Sequence, residues 1–235
     1  YRQTGKIRHL TSQIMDIMGT WYNNYRFSPD TETDLFNPTQ VLYFLKQYLK
    51  NSRVPSEFID RNFGIDYHKL RHLIILDKQG VTKANGNFSK LNEIIEKGEI
   101  HSTIKKGFPV NELTAPSNFI SQLYFFGLLT ITDTNPLGRA ILKIPNQMVR
   151  SLYYDYIKET YAETHSFNLN MDKYSDLMTE MALKGEWKPL FDYLGERIEA
   201  ASSLRDLMTG EKAIQVFLNV YLGLSDFYIV HPEKE

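Results

Sequence analysis

The chain has 235 residues, 42% of them apolar and 23% charged, enough for one large or two small domains with real cores. A net charge of −1 excludes a broadly basic nucleic-acid surface, though not a local patch. The absence of cysteine excludes disulfides, thiolate metal sites and a cysteine nucleophile, and it fits a reducing, cytoplasmic setting.

Residues 10–20, LTSQIMDIMGT, place apolar side chains at 10, 14, 17 and 18. That spacing predicts a helix, with Thr11 or Ser12 as its N-cap and Gly19 as its stop. WYNNYRF, at 21–27, sets four aromatics and Arg26 in seven residues of a loop. Such a segment can offer a contact surface, in which Arg26 approaches a phosphate or stacks on a ring. It can equally pin the loop against the next helix, and the large area aromatics bury favours this second reading. Asn37 is a cap and Pro38 a first helical residue for PTQVLYFLKQYLK, whose apolar positions 41, 42, 44, 45, 48 and 49 make a broad face.

HKLRHLIIL and FSKLNEIIEKG are short helical patterns on either side of the turn-rich DKQGVTKANGN, and EIHSTIKK is a strand candidate. PSNFISQLYFFG predicts a helix with Pro116 near its start, Ser117 as cap and Gly127 as stop. LLTIT and AILKI are strand-like runs joined by TDTNPLGR, whose Asn-Pro and Gly are turn chemistry. PNQMVRSLYYDYIKETYAET is a strong helix with Pro145 near its first turn. After the polar HSFNLN come three amphipathic helices, with Gly185 and Gly223 at helix ends, and then DFYIVHPE as a strand candidate. The expected fold is mainly α with small β elements (α+β), in two domains, 1–165 and 166–235. No run reaches the ~20 apolar residues of a membrane span. The opening YRQTGKIRHL lacks a signal-peptide pattern, and both ends read as cuts inside a longer chain.

The catalytic motifs with the clearest mechanics are absent. There is no phosphate-cradling Gly-x-x-x-x-Gly-Lys-Ser/Thr, no Gly-x-Gly-x-x-Gly, no Gly-x-Ser-x-Gly and no His-Glu-x-x-His. His68 and His72 could share a helix face, but a zinc site needs a further ligand that the sequence does not name. Glu196 and Glu199 lie three apart on one helix. Glu211 opens the next, where the dipole stabilises a carboxylate by about 0.3–1 kcal/mol.

The helix at 117–126 and the hairpin after it resemble a winged-helix unit. A recognition helix presents Arg, Lys, Asn or Gln to base edges. This one offers only Asn118 and Gln122, and the nearby cations, Lys105, Lys106, Arg139, Lys143 and Arg150, are few for phosphate binding. Phe119, Ile120, Leu123, Tyr124 and Phe126 instead form a stripe at helical spacing, and burying side chains of this size contributes about 1.5–3 kcal/mol each. The expectation is that this helix packs inside the protein.

WYNNYRFS, LFNPTQVLYFL, GFPVNELTAPSNFISQLYFFGLLTI, LKIPNQMVRSLYYDYI and GEKAIQVFLNVYLGLSDFYIVHPEKE together resemble a family common in gut-dwelling anaerobic bacteria. Its members join an AAA-type ATPase-like domain to a C-terminal PD-(D/E)XK nuclease-like domain. The resemblance covers about 10–235. It implies that 1–165 are the helical lid and winged helix at the end of the ATPase-like domain, and 166–235 the helical start of the nuclease-like one. It implies ATP and Mg²⁺ as cofactors of the full-length protein and the rest of the same polypeptide (ATPase core and nuclease core) as partner. Nucleic acid is implied as a substrate class for the full-length protein, and a membrane is not. Glu211 matches the first-helix acid of the nuclease-like core, a candidate metal ligand, while the segment with Arg26 matches one that faces nucleotide. The phosphate loop and the Asp and Glu-x-Lys set fall outside the chain, so by itself it is expected to be catalytically inactive. Two other readings stay open: a winged-helix DNA-binding regulator, and a protein-interaction module using residues 21–27.

Overall fold

The computed structural model describes residues 2–60, 87–109, 112, 115–165, 167–201 and 210–225. The chain is mainly helical with one small antiparallel sheet. The described elements are α1 (Arg2–Tyr22), α2 (Pro38–Asn51), α3 (Asn87–Lys97), β1 (Glu99–Ser102), α4 (Phe119–Phe125), β2 (Thr130–Thr134), β3 (Ala140–Lys143), α5 (Gln147–His165), α6 (Met171–Lys184), α7 (Lys188–Ala200) and α8 (Glu211–Gly223). They divide into two compact units, 1–94 with 98–150 and 95–97 with 151–235, so that α3 and α5 each contribute to both. The expectations for HKLRHLIIL, most of DKQGVTKANGN, and DFYIVHPE lie outside the described residues.

In the first unit, α1 runs through Gly19 instead of stopping there. Met18 and Tyr22 are four apart on one face and both buried, and their packing outweighs the roughly 0.5–1 kcal/mol that a helical glycine loses relative to alanine. Nor does the helix begin at Thr11 or Ser12, since it already includes Arg2. α2 begins as its sequence requires: the Asn37 side chain accepts from the Gln40 N–H at 3.2 Å, with Pro38 as the first helical residue.

The sheet has the order β1-β3-β2, all antiparallel. Thr132 is the extra residue of a bulge in β2, and its hydroxyl donates to the Ile141 carbonyl at 3.2 Å. The β2–β3 turn closes on Asn135, whose carboxamide oxygen accepts from the N–H groups of Leu137 (3.0 Å) and Arg139 (2.9 Å).

The second unit is built around tyrosine and phenylalanine. Phe167 meets Phe217 and Tyr221 edge-on, each with centroids 5.4 Å apart, and Tyr161 stacks with Tyr221. The Tyr174 hydroxyl donates to the Tyr221 carbonyl. α6 closes on Gly185 in the left-handed region, its N–H bonding the Met181 carbonyl at 3.0 Å, and α7 packs back on α6. Gly223 is the last residue of α8, and a Cβ there would run into the Tyr154 ring.

Two substitutions separate these glycines. Gly19→Ala adds a Cβ into open space in a helix interior and should raise stability by about 0.5–1 kcal/mol, whereas Gly223→Ala overpacks and should lower it by about 1–3 kcal/mol. Urea unfolding followed by circular dichroism reads both shifts.

Alkali supplies a second test. Burial pushes the hydroxyls of Tyr161, Tyr174 and Tyr221 up from their ordinary value of 10.0, with Tyr221 raised further by its neighbours Tyr161 and Tyr174. Their neutral forms are the ones the fold holds, so stability is intact below about pH 10. It falls above that value, by up to about 1.4 kcal/mol per pH unit for each tyrosine. Tyrosinate absorbance and loss of helix should therefore rise together above pH 10. Ionisation that is complete while the helices remain would contradict this packing.

Candidate functional site

The segment 21–37 and the helix–hairpin unit meet in the first unit, and the sequence singles out both. Tyr22 is fully buried and lies edge-on to Phe44 of α2 at 6.1 Å, and its hydroxyl donates to the Phe58 carbonyl at 2.7 Å. Trp21 stacks on Phe58 with centroids 4.2 Å apart. Trp21 and Tyr22 are the last two residues of α1 and not loop, and they pin the end of that helix, where the loop begins, to α2 and the segment after it, which is close to the second of the two readings of residues 21–27. Phe27 departs from it: it is 61% exposed, touching Tyr124 only edge-on.

The backbone of this segment has partners along its length. The Tyr22 carbonyl accepts from the Asn37 N–H at 2.8 Å, and Tyr25 and Leu35 exchange N–H···O bonds of 3.1 and 3.0 Å. The Arg26 N–H donates to the Thr130 hydroxyl oxygen at 2.7 Å, and that hydroxyl donates to the Arg26 carbonyl at 3.3 Å. The Tyr124 hydroxyl donates to the Phe27 carbonyl at 2.9 Å, and the Asn146 carboxamide donates to the Asn23 carbonyl at 2.9 Å. A loop that would otherwise bury unpaired polar groups is lashed to α4, to β2 and to the start of α5. Asn146 does double duty, because its oxygen accepts from the Val149 N–H at 3.2 Å and caps α5. The sequence signal was Asn between Pro145 and the helix: Pro145 precedes the cap and does not lie in the first turn.

α4 has almost no solvent face. Phe119, Ile120, Ser121, Gln122, Leu123 and Tyr124 are all buried. Gly127, with φ +70°, ends it: its N–H bonds the Tyr124 carbonyl at 3.0 Å, and the Leu128 N–H bonds the Leu123 carbonyl at 2.8 Å. This pattern closes a helix with a left-handed residue and sets Leu128 against Leu123, both buried. Phe126 is 41% exposed, against the expected stripe, because the chain leaves α4 at that point and swings Phe125 and Phe126 outward. Ser117 is not the cap; its hydroxyl accepts from the Lys105 ammonium at 3.2 Å.

Several of the polar and cationic groups singled out in the sequence have partners within the unit. Asn118 and Gln122 are buried, with Asn118 accepting from Lys105 Nζ at 2.6 Å and donating to the Glu112 carbonyl at 2.9 Å. Arg139 donates to the His101 carbonyl at 2.6 Å, and Lys143 pairs with Glu99 at 3.2 Å. Glu99 also bonds His101 at 3.1 Å, and these two partners, His101 first, hold its carboxyl below the usual range.

The guanidinium of Arg26 pairs with Asp34, both about one-third exposed. Glu211 is the first residue of α8 and is exposed; beside it, Lys212 pairs with Glu96 at 2.9 Å. Glu196 and Glu199 are exposed on α7. Among the described residues, no three His, Asp or Glu side chains are grouped to hold a metal ion, and no helix is long and apolar enough to cross a membrane. His68 and His72 lie outside the described residues. Comparison of the chain with protein-family models, curated proteins and solved structures gives no match.

Two variants rank the tethers. Thr130 is 4% exposed and serves Arg26 as both acceptor and donor; the Arg26 carbonyl also takes the Ile131 N–H at 3.4 Å, so Thr130→Val strands the Arg26 N–H and should destabilise by about 1–3 kcal/mol. Tyr124→Phe frees a carbonyl beside the exposed Phe27, which water can reach, and should lower stability by about 0.5–1.5 kcal/mol. Urea midpoints at unchanged slope measure both; equal losses would show that the two sites do not differ in solvation.

Proposed function

We propose that residues 87–143 form a winged-helix unit with a structural, lid-like role in an AAA-type ATPase-like protein, and that residues from 166 onward begin its PD-(D/E)XK nuclease-like domain. The order helix, strand, helix, hairpin with the first strand beside the last, β1-β3-β2, supports the winged-helix reading. The observation that carries the structural role is the burial of α4, the helix in the recognition position, together with its only two base-reading side chains, Asn118 and Gln122. A helix sealed on that face packs against its own protein. Lys143 is paired with Glu99, and Arg139 spends an N–H on the His101 carbonyl, so a DNA-binding regulator has less support.

In this reading, ATP and Mg²⁺ belong to the full-length protein. Arg26 lies on the nucleotide side of the lid, and Glu211 is the first-helix acid of the nuclease-like core. On this reading the phosphate loop and the Asp and Glu-x-Lys set belong to other segments of that protein, and the chain by itself turns over neither ATP nor DNA.

The test uses the chain with Mg²⁺. Phosphate release from ATP and nicking of plasmid DNA should both stay at the blank level, and a mobility-shift titration with duplex DNA should show no complex even at low salt. ATP turnover that copurifies with the chain through several steps would overturn the assignment of the ATPase motifs to other segments. A salt-sensitive complex abolished by Arg139→Ala with Lys143→Ala would restore the DNA-binding reading.

A further inference from the structure

The solvent face of α2 is apolar and cationic at once. Leu42 is 66% exposed and Leu49 79% exposed. At about 100° per residue they lie within about 20° of one another around the helix, with Lys46 about 40° and Lys50 about 80° round from Leu42. Leu45, partly exposed, completes the spacing i, i+3, i+7, the apolar seam by which one helix packs along another. Leu42 and Leu49 take no part in holding the unit together; Gln40 and Phe44 are the residues α2 buries.

The charge that α2 itself carries has one sign. No acidic residue occurs between Asp34 and Glu57, while Lys46, Lys50 and Arg53 are all exposed. Their side chains have no ion-pair or hydrogen-bond partner among the described residues. Other surface cations do: Arg26 with Asp34, Lys143 with Glu99, Lys184 with Glu180, Lys188 with Asp192 and Lys212 with Glu96. Unpaired cations therefore coincide with a row of exposed leucines.

We infer that the outer face of α2 docks an amphipathic helix of a partner protein, one that presents apolar residues at heptad spacing flanked by carboxylates. Lys46, at the position that flanks this seam, would pair with such a carboxylate as flanking charges do in a coiled coil, and Lys50 adds to the positive field that sets partner choice and orientation. A second copy of this chain does not fit, because α2 against α2 would set Lys46 and Lys50 near their own counterparts. An anionic membrane fits less well, since a bilayer takes up a broad apolar face and this one is a single row.

The probe is a synthetic helix with leucine at a and d and glutamate at e and g, which its own charges keep from pairing with itself; a lysine-flanked twin is the control. The full chain should bind the glutamate helix, by fluorescence anisotropy, more tightly than the lysine helix, and more weakly as salt rises. L42S/L49S should weaken binding about tenfold or more, and K46E/K50E should reverse the preference between the two probes. All four positions are exposed, so both variants should keep the parent's helical spectrum and melting temperature. Equal binding of the two probes would overturn the inference, as would full affinity in L42S/L49S. So would binding to anionic phospholipid vesicles with none to the glutamate helix, or self-association that L42S/L49S abolishes.

Discussion

The first unit depends on how the backbone of residues 22–27 is satisfied. This stretch has no regular ladder of its own, yet Tyr22 and Tyr25 are buried and carry their peptide groups inward with them. A buried N–H or C=O without a partner loses a few kcal/mol, enough to undo the burial of a ring. Here the partners come from four places: Asn37 and Leu35 across the loop, Thr130 on β2, Tyr124 on α4 and Asn146 at the head of α5. Residues about a hundred positions apart in the chain are fixed by this requirement, and it brings the α1–α2 pair and the hairpin unit into one core.

The same requirement fixes how α4 packs. Its tyrosine reaches back to the loop, its asparagine is held by Lys105 and Glu112, and its C-terminal closure through Gly127 seats Leu128 on Leu123. The burial of Phe119 and Leu123, about 1.5–3 kcal/mol each, then holds the helix in place. The second unit follows a different plan: tyrosine and phenylalanine rings crowd its core, and burial makes the hydroxyls there resist ionising, that of Tyr174 while it donates to the Tyr221 carbonyl.

Much of the fold was legible because local chemistry and global packing agree. Asn37-Pro38 names the start of α2, Gly127 the end of α4, Gly185 the end of α6, and the Asn-Pro…Gly turn the hairpin. Where they disagree, the sequence misleads. Gly19 looks like a stop, yet the buried pair Met18 and Tyr22 carries α1 past it. Phe126 continues an apolar stripe on paper, but the stripe ends with the helix. Asn118 and Gln122 look like polar readers, yet both are buried, and Asn118 is held by Lys105 and Glu112, whose proximity no periodicity reveals. The tethers from Thr130 and Asn146 were invisible for the same reason, since a threonine in a strand and an asparagine before a helix have ordinary local roles as well. The candidate site was less legible still, because Arg26 and Glu211 draw their proposed roles from a resemblance and not from neighbours in the chain.

Native-state amide hydrogen exchange tests the central claim most directly. If residues 22–27 are the hub, the amides of Tyr25, Arg26 and Leu35 exchange only through the opening that also releases Leu142 in β3, with the same free energy and the same response to denaturant. Exchange of those three at the rate of an exposed loop, while Leu142 stays protected, would contradict it.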